Sequence, residues 1–105
     1  ILVIPWGLGQ EVSFAEGKGP VLPPLSSITQ LEMLKLEGMI QRLSPVYEAI
    51  ALTRARLNVE TALIGFTGSP WTLATYMIEG GSSRTFAQTL EWAYQRPETF
   101  QALLD

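Results

Sequence analysis

The sequence has no Cys and no His, and its single Asp is the last residue, Asp105. Without Cys there is no disulfide and no catalytic thiol. Without His there is no His-based triad and no ordinary zinc or haem site. The other acids are nine Glu, so chemistry done by these residues alone falls to Glu, Tyr, Ser, Thr, Lys, Arg and backbone groups. Charge is scarce as well: 7 Lys plus Arg stand against 10 Asp plus Glu, giving a net charge of −3. The basic residues are scattered and form no stripe that would neutralise phosphates, which argues against nucleic acid as the primary ligand. No apolar run approaches the roughly 18 to 20 residues of a membrane span. The start carries no basic n-region and reaches Pro5 within a few residues, unlike a signal peptide.

What is present is apolar. Hydrophobic residues make up 47% of the 105 residues, and the mean hydropathy is +0.19. That is the composition of one domain, or of a piece of a larger one, and not of a disordered segment. Ile1-Leu2-Val3-Ile4 is a continuous, largely β-branched run that predicts a buried strand. A processed terminus accounts for the missing Met. A chain that begins inside a larger fold accounts for the strand as well, and is the expectation adopted.

Residues 7–27 predict an ornate loop: Trp6-Gly7-Leu8-Gly9 breaks the strand, and Glu11–Glu16 alternates polar and apolar residues. Gly17-Lys18-Gly19-Pro20 is a turn, and Val21–Leu25 is held extended by its prolines. Helical spacing follows in Ile28, Leu31, Leu34 and Leu36, interrupted near Gly38. Ser44-Pro45 predicts an N-cap and first turn for an amphipathic helix carrying Val46, Ala49, Ile50, Thr53 and Leu57 and ending near Asn58. Ala62–Phe66 predicts a second buried strand. Ser69-Pro70 opens a helix that Gly80-Gly81 stops. Ser83 is placed as the cap of a helix with Phe86, Leu90, Ala93 and Tyr94, and Pro97 opens a last helix with Phe100, Leu103 and Leu104. The order is β-α-β-α, which right-handed crossovers make parallel. Two parallel strands cannot cover both of their faces, so the expected fold class is α/β, a segment of a larger sheet or barrel.

Most candidate motifs have a plainer explanation. Gly7-Leu8-Gly9 and Gly17-Lys18-Gly19 complete no phosphate-binding fingerprint and are better explained as turn glycines. Trp71, Trp92 and Tyr94 form either a stacking platform or, more commonly at helical spacing, packing residues. Arg54 and Arg56 are expected as solvated charge, and Glu79 as an exposed helix-end acid more than as a general base. The stretch Gly65–Ser83 differs in kind. A buried strand there passes through a Gly/Ser/Pro turn into a helix, at the strand end that carries ligands in α/β folds. Tyr76 is the one polar-tipped aromatic on that helix.

PWTLATYMIEGGSS, at residues 70–83, closely resembles the signature of the uroporphyrinogen decarboxylase family. ILVIP with GLGQEV (1–12), EGKGPVLPPL (16–25) and LIGFTGSPWT (63–72) are similar to further family segments in the same order. The resemblance spans nearly the whole chain and is least distinctive over residues 28–45. It implies a (β/α)8 TIM barrel, of which residues 1–105 are a partial domain truncated at both ends. It further implies a lyase that converts the four acetate arms of uroporphyrinogen to methyls, giving coproporphyrinogen for haem biosynthesis, with no cofactor and no metal. A cytoplasmic homodimer is implied too. Of the family's substrate-contacting side chains, one tyrosine carries over onto Tyr76, and an apolar pocket position onto Phe66. The loop of residues 7–25 would form part of the cleft rim. The family's key Asp falls immediately before Ile1, and its arginine-bearing motif, later Ser and later His fall outside these residues, so the 105 residues alone are expected to be inactive. Two other readings stay open: a related methyltransferase of the cobalamin or thiol type on the same barrel, and a non-catalytic helical interaction module.

Overall fold

A computed structural model describes residues 1–105. The chain forms, in order, helix α1 (Val3–Gly7), strands β1 (Ser13–Ala15) and β2 (Gly19–Val21), and helices α2 (Ile28–Glu32), α3 (Met39–Arg42), α4 (Ser44–Arg56), α5 (Pro70–Glu79), α6 (Ala87–Gln95) and α7 (Pro97–Leu104).

The local signals for helices hold well. Ser69 caps α5 by accepting the Thr72 N–H at 3.2 Å, with Pro70 in the first turn where a missing N–H costs nothing. Gly80 ends the same helix in the left-handed region at φ 77°. A side chain is doubly excluded there, because a Cβ would also meet the Leu22 carbonyl oxygen at 2.8 Å. Ser27 caps α2 through the Gln30 N–H. Two caps are displaced from expectation. Ser44 lies within α4, whose N-cap is Leu43. Ser83 is three residues ahead of the α6 cap, Phe86, and accepts the Phe86 N–H instead.

The two predicted parallel strands do not form. Residues 3–7 are helical, with Leu8 N–H donating to Ile4 O at 2.9 Å. Residues 62–66 run without any ladder partner, leaving Ile64 86% and Phe66 79% exposed. The reason is the same in both places. A strand satisfies its backbone only through a neighbour, and a segment without one must fold on itself or stay solvated. Pro5 falls in the first turn of α1, so it does not oppose the helix. The strand pairing present is a short antiparallel hairpin with register Ser13↔Val21, Phe14↔Pro20 and Ala15↔Gly19. Its turn is closed by Lys18 N–H to Ala15 O, with Gly17 at φ 73°. Pro20 is tolerated because each strand has a free edge.

Packing centres on α5. Ala74, Met77 and Ile78 from α5 join Leu25, Trp92 and Phe100 in the core. The 22–25 segment is laced along the C-terminal end of α5: Leu25 N–H donates to Met77 O at 2.8 Å and Leu22 N–H to Gly80 O at 3.0 Å. Buried Gln10 reinforces the lacing, its Nε2 donating to Pro23 O and Met77 O. The rest is thinly covered. No residue of α4 is buried, and only 14 of 105 residues are buried in all. The radius of gyration is 15.8 Å, against about 13 Å for a compact chain of this size. The chain is therefore an incomplete mixed assembly, a helical cluster with one hairpin and extensive open apolar surface.

Candidate functional site

Positions 71, 72, 75 and 76 follow the helical period and lie on one side of α5. Together with Gly81, Ser82, Ser83 and Phe86 they line a half-open hollow of about 170 Å³. One wall is the helix; the other is the Gly-Gly-Ser-Ser loop and the residue that opens α6. The hairpin supports that loop, the Pro20 carbonyl oxygen lying 3.3 Å from where a Gly81 Cβ would stand.

The lining is neutral and divides into aromatic rings and hydroxyls. Trp71 lines the hollow and is 42% exposed, and its ring meets Phe100 edge to face, with centroids 5.8 Å apart. Several hydroxyls are committed: Thr75 Oγ1 donates to Thr72 O at 2.7 Å, and the hydroxyls of Thr72 and Ser69 are hydrogen-bonded to each other at 3.0 Å. Ser83 Oγ accepts the Phe86 N–H at 3.1 Å and keeps its own O–H to give. The hydroxyls of half-buried Tyr76 and exposed Ser82 have no partner within the chain. The site thus offers three uncommitted O–H donors between apolar walls. That arrangement suits an acceptor-rich group, such as a carboxylate, carried on a flat apolar ring.

Phe66 is not part of this hollow; it sits on the exposed extended segment. Of the other aromatics, Trp92 is a core residue, 3% exposed, with the Arg96 guanidinium 5.9 Å from its ring centroid, whereas Tyr94 is 83% exposed. A stacking platform of Trp71, Trp92 and Tyr94 is not assembled. Gly7 ends α1, Gly9 and Gly17 lie in turns and Gly19 begins β2, so neither pair forms a phosphate loop. Arg54 is exposed but tied to the carbonyls of Asn58 and Thr61.

Glu79 is the residue that sequence reasoning undervalued. It is half-buried, not exposed, and its Oε1 accepts both the backbone N–H and the hydroxyl of Thr89, at 2.8 and 2.9 Å. Thr89 is wholly buried in the first turn of α6. A carboxylate at that end of a helix satisfies an orphan N–H and opposes the helix dipole. The clue in the sequence was weak: an acid followed, ten residues on, by a Thr near a helix start. Phe86 is the second such residue, and its placement on the wall of the hollow has no sequence signal beyond helical spacing.

One family pattern runs through the whole chain. The sequence profile described as Uroporphyrinogen decarboxylase (URO-D) matches residues 1–105, and the chain belongs to that family. The uroporphyrinogen decarboxylase of Rhodospirillum rubrum is 47% identical over 105 residues, covering 100% of this chain and 30% of that protein. The Campylobacter lari protein of the same name is 49% identical, over 99% of this chain and 31% of its own length. The human one is 51% identical, over 99% of this chain and 29% of its own. The chain thus spans about 30% of the length of the curated relatives it matches.

Proposed function

We propose that the whole protein is a uroporphyrinogen decarboxylase, a lyase that removes CO₂ from the four acetate arms of uroporphyrinogen and leaves methyl groups in coproporphyrinogen. Residues 1–105 are then a partial domain of a (β/α)8 barrel, a fold of about 250 residues, and the helices and hairpin around α5 are one sector of it. The whole protein is further proposed to act as a cytoplasmic homodimer.

The observation that carries the proposal is Tyr76, whose hydroxyl has no partner within the chain and which lines a neutral hollow, inside the segment PWTLATYMIEGGSS. Its chemistry is positional. A pyrrolic acetate loses CO₂ only when the ring can accept the electron pair of the breaking C–C bond. Protonation at the pyrrole α-carbon creates that sink; the methylene carbon then takes a proton and the ring gives one up. Tyr76 holds and orients a carboxylate arm between the aromatic walls. Phe66 is proposed as an apolar lining of the substrate cleft in the completed barrel. No proton donor and no group to stabilise the ring cation is assigned among residues 1–105, which alone are proposed to be inactive. The test is anaerobic incubation of the full-length protein with uroporphyrinogen, followed by chromatography of the products. Coproporphyrinogen is the expected product; an unchanged substrate pool would refute the assignment.

A further inference from the structure

Phe86 adopts a backbone conformation that bulky residues avoid, at φ 52° and ψ 34°. It is the one non-glycine residue with positive φ in the chain. Core burial does not account for this, because Phe86 remains 37% exposed and is not a member of the core cluster. Yet its backbone is held firmly. Its N–H donates to Ser83 Oγ at 3.1 Å, and its carbonyl accepts the Leu90 N–H at 2.8 Å. The turn behind it is tied to α5 through Glu79 and Thr89. The residue so constrained lines the same hollow as Trp71 and Tyr76.

We infer that Phe86 is a specificity-determining residue whose ring bounds the hollow to fit one carboxyl-bearing pyrrole ring of the substrate. The inference rests on the reading that this hollow receives substrate. At about 170 Å³ the hollow is smaller than the roughly 300–1,000 Å³ pockets that enclose whole ligands. It takes one ring with its arm, the hydroxyls meeting the carboxylate and the rings of Trp71 and Phe86 flanking the pyrrole. Glu79 is then a positioning residue that keeps α6, and with it Phe86, against α5.

The experiment is anaerobic titration of the full-length protein with uroporphyrinogen, read by tryptophan fluorescence, since Trp71 lines the hollow. Wild type, Phe86→Ala, Phe86→Leu and Tyr94→Ala are compared, with thermal unfolding of each. Expected are a roughly tenfold weaker Kd for Phe86→Ala, a smaller loss for Phe86→Leu and none for Tyr94→Ala, with Tm values agreeing within about 2 °C. A Kd for Phe86→Ala equal to wild type overturns the inference. So does a loss of binding that merely follows a loss of stability in both Phe86 variants. Wild type that binds but yields no coproporphyrinogen defeats the proposed reaction alone, and Phe86 is then judged on the Kd ratio. Wild type that does not bind defeats both.

Discussion

The carboxylate of Glu79 and the first turn of α6 meet at Thr89, whose N–H and O–H both donate to Glu79 Oε1, at 2.8 and 2.9 Å. This contact crosses the Gly80–Phe86 connection, so the end of the tyrosine-bearing helix and the start of the next one are fixed to each other. The loop that lines the hollow is thereby closed at both ends.

Removing that carboxylate leaves a buried N–H and a buried hydroxyl unpaired. Glu79→Ala is expected to destabilise the full-length protein by about 2–3 kcal/mol, the range for losing hydrogen bonds to a charged acceptor. Glu79→Gln keeps an acceptor in place and should lose only about 1 kcal/mol. Urea denaturation of both variants checks the order; equal losses would show that the oxygen position is irrelevant.

Gly80 combines a positive φ with a Leu22 carbonyl oxygen only 2.8 Å from where a Cβ would stand. Gly80→Ala is expected to cost more than about 1 kcal/mol, because the alanine is strained and also pushes the 22–25 segment off α5. Thermal unfolding measures it.

The exposed apolar side chains predict the behaviour of the 105 residues by themselves. Leu36, Ile40, Val59, Ile64 and Phe66 are 76–89% exposed, large apolar side chains left in water that favour association. The isolated chain should self-associate at micromolar concentration. A single monomeric boundary in sedimentation velocity would contradict this.

Legibility in the sequence followed the range of the interaction. The start and stop of α5 were readable because Ser69, Pro70 and Gly80 act on their own helix. The strands at 1–4 and 62–66 were not, because β-branched composition shows only that a segment suits a strand, while pairing depends on a neighbour. Packing around α5 was half-readable: Phe100 and Leu103 follow the helical period, but nothing local reveals that Gln10 reaches Pro23 and Met77. At the site, Tyr76 stood out through its motif. Glu79 and Phe86 did not, since one acts ten residues away and the other owes its place to an unusual backbone conformation.

Steady-state kinetics of Tyr76→Phe in the full-length protein test most directly whether the Tyr76 hydroxyl meets a carboxylate arm of the substrate. The phenylalanine ring fills the same space, so Tm should stay within about 2 °C of wild type. Loss of a hydrogen bond to a charged group should lower kcat/KM for uroporphyrinogen by about 10- to 100-fold. A Tyr76→Phe protein with wild-type kcat/KM would place the substrate arm elsewhere and contradict the account.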